Sequence, residues 1–339
     1  MKNINRKFSI APMMEWSDRH CRYFWRQLTQ QAVLYTEMVT TGAIIHAGPK
    51  RFLTFHEDEH PLALQLGGSN AVELAHCAKI AEQWGYDEIN LNCGCPSDRV
   101  QNGMFGACLM AQPQLVADGI KAMQDACSIP VTVKHRIGID DMESYEEMVD
   151  FIRPIMETGC STFIVHARKA WLKGLSPKQN REVPPLNYPM VYQLKQDFPQ
   201  LEIIINGGLT TLEQCEVHLQ HIDGVMLGRS AYHNPYLLAE IDYRLYHQSD
   251  GTMTKSRDQV LLDFIPYVEE QLANGVALNH ITRHILGLFQ GVPGAKLFRR
   301  HISEQAHKKG AGIEVIYRAR ELMLGAYQRT ETYRTAGTQ

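Results

Sequence analysis

Two thiols stand two residues apart in Asn90-Leu91-Asn92-Cys93-Gly94-Cys95-Pro96. The stretch follows Asp87-Glu88-Ile89, so a short apolar strand runs straight into a turn. Gly94 permits backbone geometry that a Cβ resists, and Pro96 stops the strand from continuing. A thiol held at the end of a buried strand suits an active site, and Asn92 sets an amide beside it. The same pair can instead be two small buried side chains. A Cys-x-Cys zinc half-site needs a second Cys/His pair at finger spacing, which the chain lacks.

Such a turn needs a scaffold, and short β-rich runs supply one. They are Phe8-Ser9-Ile10-Ala11, Val33 to Met38, Leu62 to Leu66, Ile89 to Asn92, Val131 to Lys134, Phe163 to His166, Ile203 to Asn206 and Gly224 to Leu227. They are apolar almost throughout, as parallel strands covered on both faces require. Helical stretches fall between them at Ala71 to Gln83, Pro113 to Ala126, Glu143 to Glu157 and Leu212 to Leu219. Ser69-Asn70 caps the first, with Glu73 in its opening turn. Eight β/α units of this length predict an α/β fold, a (β/α)8 TIM barrel. An open doubly wound sheet would want a Gly-rich phosphate turn after the first strand, and Ala11-Pro12-Met13-Met14-Glu15 is not one.

The polar residues gather at strand ends: Glu37, Gln65, Asn92, Lys134, His166, Asn206 and Arg229. In a barrel those ends form one face, where chemistry sits. Asn206-Gly207-Gly208 and Gly228-Arg229-Ser230 end the seventh and eighth strands, the usual phosphate position. Their glycines let N–H groups approach an anion, and Arg229 adds a charged fork. Lys134 fits a Schiff-base nucleophile or a charge beside an electron-rich ring. His166 fits a phosphate or a carbonyl. A flat aromatic cofactor with a phosphate tail suits the set. Pro12, Met13 and Met14 would lie against its ring, Gln65 and Lys134 at its polar edge.

After Tyr246 the β-rich runs cease. Gln248 to Lys255 reads as a linker, followed by helical patterns at Asp258 to Leu272, Ile281 to Phe289, Lys296 to Lys308 and Glu314 to Leu324. The expected division is a barrel domain over 1–244, a small all-α domain over 245–334 and a flexible tail over 335–339. The net charge is −3, yet residues 280–334 hold ten Lys/Arg against four Asp/Glu. That local excess points to an anionic partner. Eight cysteines without small-scaffold spacing, and no signal peptide, fit a reducing cytoplasm. No stretch is apolar enough to span a membrane.

Taken together, Ala11-Pro12-Met13-Met14, Gln65-Leu66-Gly67-Gly68, the Asn90–Pro96 stretch, Val133-Lys134-His135-Arg136, Val165-His166-Ala167-Arg168, Ile205-Asn206-Gly207-Gly208 and Gly228-Arg229 resemble the tRNA-dihydrouridine synthases, most of all the bacterial A type. The resemblance covers nearly the whole chain. It implies a barrel with bound FMN, a helical tRNA-binding domain and NADPH as reductant. It implies a substrate uridine in the tRNA D-loop at position 20 or 20a. It places tRNA contacts at Lys178 and Arg181 and at Lys296 and Arg299.

The chemistry of that reaction selects residues in turn. Hydride arrives at uracil C6, the β-carbon of an enone, and a proton goes to C5. Cys95 is the expected acid, because it lies past the strand while Cys93 is still within it. Asn92 is expected at the uridine. The loop Val100 to Ala107 is expected to close beside the extruded base. The expected working form is a monomer without metal, away from membranes. Three alternatives differ in class: a flavin dehydrogenase of a free pyrimidine such as dihydroorotate, a Lys134 Schiff-base aldolase, and an RNA-binding factor with an idle barrel.

Overall fold

Eight strands close on themselves in chain order, β1 to β8, every neighbouring pair parallel. They are β1 Phe8–Ile10, β2 Val33–Thr40, β3 Leu62–Gly67, β4 Glu88–Cys93, β5 Val131–Arg136, β6 Thr162–His166, β7 Glu202–Asn206 and β8 Gly224–Leu227. The computed structural model describes residues 4–97, 103–246 and 254–336. The linker residues 248–253, the tail residues 337–339 and Val100–Asn102 of the expected closing loop lie outside the described residues. A barrel follows because the runs are short, apolar and separated by helices long enough for a parallel crossover.

Local chemistry sets the covering helices. Asn70 accepts from the N–H groups of Val72 and Glu73 and starts the helix Ala71–Gln83. Ser144 with Glu147, and Thr211 with Gln214, form capping boxes for Tyr145–Glu157 and Leu212–His218. Pro113 opens Pro113–Ala126, where its missing N–H costs nothing. The strands alternate. On β4, Glu88, Asn90 and Asn92 share one face and Ile89, Leu91 and Cys93 the other. One part of the interior is apolar, with Ala11, Val33, Tyr35, Ala63, Ile164, Ile204 and Met226 packed together and Met13 resting against them.

Contacts divide the chain into two units: Met1–Arg19 with Gln31–Gly228, and His20–Gln30 with Arg229–Gln339. This boundary lies at Gly228 rather than at residue 244. It also moves His20–Gln30 into the second unit, because the partners of that segment come from far along the chain. Tyr23 stacks on Tyr267 at 3.9 Å, Phe24 meets Phe264 edge-on at 5.3 Å, and Trp25 Nε1 donates to Ala231 O at 3.2 Å. Its longer helices are Arg257–Ala273, Ala295–Gln305 and Glu314–Ala336. The last runs on through Ala336, so the start of the expected tail is helical. The helix expected over Ile281 to Phe289 is instead the short helix Leu278–Thr282 followed by turns. Within those turns Gly287 packs closely on the chain, where a Cβ would sit 2.5 Å from His233 O. Among the described residues no helix is long and apolar enough to cross a membrane.

Candidate active site

The thiol turn is built by Asn92. Its Oδ1 accepts from the N–H groups of Gly94 at 3.1 Å and Cys95 at 3.0 Å, which folds the chain back as β4 ends. Its Nδ2 donates to Gln65 Oε1 at 2.9 Å. Cys95 emerges partly exposed, its Sγ 3.6 Å from Ser97 Oγ. Cys93 is fully buried, and burial pushes its thiol pKa far up. On the loop that follows, Ala107 N–H donates to Cys95 O at 2.9 Å.

Cations crowd the barrel mouth. Lys134 Nζ donates to Asn206 Oδ1 at 2.9 Å, and Asn206 Nδ2 donates to Met226 O at 2.8 Å. Burial, then the Arg136 guanidinium, lower the Lys134 ammonium to about 7. Burial, then Arg136, Lys134, Arg168 and Arg181, hold His166 well below its ordinary value, so its ring is neutral. Its Nδ1 is buried and meets no hydrogen-bond partner. Arg136 is the residue that sequence reasoning quoted but gave no role. Its Nε donates to Gly94 O at 2.8 Å, and its Nη1 to Lys169 O at 3.1 Å and Asn180 O at 3.0 Å. It therefore ties the thiol turn to the loop after β6, and no carboxylate pairs with it among the described residues. Alternation from Lys134 along β5 was the signal that places it on the same inner face.

The glycines expected at a phosphate differ between the two turns. Gly207 and Gly208 take φ of +109° and +76°, conformations that L side chains rarely adopt. A Cβ on Gly208 would meet Leu186 and Tyr188 within 2.6 Å, while Tyr188 O–H donates to Gly207 O at 2.8 Å. A Cβ on Gly228 would meet Ala11 and Met13 at 3.8 Å, an ordinary packing distance, so that turn lies against the apolar Ala11–Met13 stretch. An orphaned His166 nitrogen, a lysine, left-handed glycines and apolar Pro12 and Met13 fit an FMN. Met14 is more exposed, at 57%. Gln65 is buried and bonded to Asn90 and Asn92. Arg229 begins the second unit, at the start of the helix Arg229–His233.

The expected RNA contacts are solvent-facing. Lys178 and Arg181 are exposed on the loop after β6. In the second unit, Lys296 and Arg299 are exposed on the helix Ala295–Gln305, and neither makes an ion pair among the described residues. Arg300 is exposed beside them and went unremarked in the sequence. Among the described residues, no group of three His, Cys, Asp or Glu is placed to hold a metal ion.

Comparison with known proteins gives the family. The chain is 62% identical over 315 residues to the tRNA-dihydrouridine(20/20a) synthase of Shewanella oneidensis, covering 93% of each chain. It is 62% identical over 311 residues to the protein of that name from Vibrio parahaemolyticus, covering 91% of this chain and 94% of the relative. The Escherichia coli K12 protein of that name is 61% identical over 318 residues, 94% of this chain and 91% of its own. Residues 9–322 match the family described as Dihydrouridine synthase (Dus), a span that takes in the barrel and the helical C-terminal part. The chain belongs to the dihydrouridine synthase family.

Proposed function

We propose that this enzyme reduces the C5=C6 bond of uridine in the tRNA D-loop, at positions 20 and 20a, with FMN bound in the barrel mouth and Cys95 as the proton donor. Its class, a flavin-dependent oxidoreductase that modifies tRNA, follows from its family. The observation that carries the assignment of the acid is the contrast within one turn: Cys95 is partly exposed beside Lys134 and Arg136, while Cys93 is sealed.

When bound, FMN supplies the hydride that C6 receives, after reduction by NADPH. Gly207, Gly208, Gly228 and Arg229 would hold its phosphate, with His166 and Asn206 close by. Lys134 and Gln65 would meet the ring edge, and Pro12, Met13 and Met14 its face. Cys95 holds the proton for C5 on the other side of the uracil. Asn92 is better read as a positioning residue than as a uridine contact, because its oxygen closes the turn and its Nδ2 is engaged by Gln65 on β3. The cations Lys134 and Arg136 favour the negative charge that develops on the reduced uracil before C5 is protonated. The barrel is the catalytic domain and the helical unit a tRNA-binding one, with Lys178, Arg181, Lys296 and Arg299 as contacts. The enzyme acts as a cytoplasmic monomer.

Single-turnover reduction of unmodified tRNA by pre-reduced protein tests this. Cys95→Ala is expected to keep FMN and its reduction by NADPH, and to lose uridine reduction by about 10²–10⁴-fold. Cys93→Ala is expected to lower Tm through lost packing and to leave the rate near wild type. Near-normal turnover by Cys95→Ala would remove Cys95 from the role.

A further inference from the structure

A directed chain of hydrogen bonds runs inside the barrel, and none of the roles above uses its lower half. It starts at Glu88, fully buried at the beginning of β4. Glu88 Oε2 accepts from Arg6 Nε at 2.6 Å. Its Oε1 accepts from the hydroxyls of Tyr35 and Thr132, each at 2.6 Å. Thr132 Oγ1 accepts from Asn90 Nδ2 at 2.8 Å, and Asn90 Oδ1 accepts from Gln65 Nε2 at 2.8 Å. Gln65 Oε1 accepts from Asn92 Nδ2 at 2.9 Å. Asn92 Oδ1 then takes the Gly94 and Cys95 N–H groups.

The direction of every link is decided at the Glu88 end. A carboxylate only accepts, a threonine hydroxyl has one proton, and a carboxamide has one donor end and one acceptor end. Because Thr132 gives its proton to Glu88, it must accept from Asn90. Asn90 then turns its oxygen to Gln65, and Gln65 turns its oxygen to Asn92. Asn92 is left with its oxygen facing the thiol turn, where two backbone donors need an acceptor. Flipping any one amide sets donor against donor or acceptor against acceptor in a buried site, which is costly.

We infer that Glu88 is a positioning residue for Cys95, acting through Thr132, Asn90 and Gln65 to fix the orientation of the Asn92 amide that closes the thiol turn. Its catalytic meaning rests on Cys95 being the proton donor, while the effect on the turn does not.

Two cuts in the chain test it in the purified full-length protein. Thr132→Val keeps the shape of the side chain and removes the hydroxyl, leaving Arg6, Tyr35 and Glu88 paired. Asn90→Asp keeps shape and sets an acceptor against Thr132, and stands in if the first variant folds poorly. Thr132→Ser restores the hydroxyl. Glu202→Gln is the control, since Glu202 pairs with Arg6 Nη1 at 2.9 Å but belongs to no link above. Amide hydrogen exchange at Gly94 and Cys95 is measured, with single-turnover uridine reduction and FMN reduction by NADPH alongside. The cut variants are expected to exchange about tenfold faster at both amides, the size of one lost buried hydrogen bond. Uridine reduction should fall by a similar factor and by more than FMN reduction, which Gln65 at the ring edge also touches. Thr132→Ser should return exchange to wild type, and Glu202→Gln should lower Tm without moving it. Wild-type exchange in both cut variants, or equal acceleration in Glu202→Gln, overturns the inference. Retained turnover in Cys95→Ala would instead overturn the acid assignment, with the exchange data still deciding the chain.

Discussion

Lys134 shows how one side chain can carry the pH behaviour of a site. Its ammonium titrates at about 7 in the fold, against an ordinary value of 10.5. Between those values the unfolded chain binds more protons, so stability of the ligand-free protein rises with pH across that window. Below about pH 7 the full penalty of burying the charge is present. An anionic ligand at the mouth reverses the preference, because it favours the ammonium. FMN affinity is therefore expected to fall as pH climbs from about 7 to 9, with binding taking up as much as about one proton. Lys134→Gln should bind FMN more weakly and without that slope. Fluorescence titrations of both proteins across the range check it, and equal slopes would take Lys134 away from the flavin edge. A lowered lysine pKa serves a Schiff-base enzyme as well. The family match, not the titration, decides between the two.

Among the elements, the turn after β7 has the least freedom. Gly208 combines a left-handed backbone with Leu186 and Tyr188 packed where a Cβ would go. Gly208→Ala would cost about 1–2 kcal/mol for the backbone alone, so the turn should shift and FMN should bind about tenfold more weakly. Flavin content by absorbance, read beside Tm, checks this; full flavin loading at unchanged Tm would free the turn of that role. All eight strands were legible as apolar runs, and Asn70 and Ser144 sit where caps were readable or one residue from them. The helix Tyr188–Asp197 was not legible, because Pro184, Pro185 and Pro189 read as a loop, although Pro189 lies in the first turn, where its missing N–H costs nothing, and Asn187 caps the helix. The polar barrel interior was not legible either. Glu88 looks like an ordinary polar strand flank until Arg6 arrives from 82 residues away. The emergence of Cys95 past the strand was legible because Asn92, Gly94 and Ser97, which shape its turn, are local in sequence. Arg136 was not given a role because its three acceptors lie on separate segments.

At the scale of the whole chain, net charge hides where the cations are available. The basic excess over residues 280–334 is partly neutralised: Arg320 forks onto Asp258 at 2.5 and 2.6 Å, and Arg318 meets Glu321 at 2.9 Å. Lys296, Arg299 and Arg300 are exposed on one helix, as Lys178 and Arg181 are on the barrel unit. Removing the charge of Lys178, Arg181, Lys296 or Arg299 is expected to weaken tRNA binding across tRNA sequences. The slope of log affinity against log salt should fall by about one per contact. FMN content should not change. Binding titrations at several salt concentrations check this, and four unaffected variants would place the docking surface elsewhere.

The barrel's seam has a consequence in time. A Cβ on Gly224 would sit 2.2 Å from Arg6 O, and Val225 N–H donates to Lys7 O at 3.0 Å. The first strand and the last thus meet at a glycine only once both exist. A ribosome adding roughly 5–20 residues per second delivers Gly224 on the order of 10–40 s after Arg6. Until β8 is made, the edge of β1 that pairs with it in the barrel has no partner strand. The opening residues are made first and locked last, so a translation stall before β8 leaves a protein that cannot close.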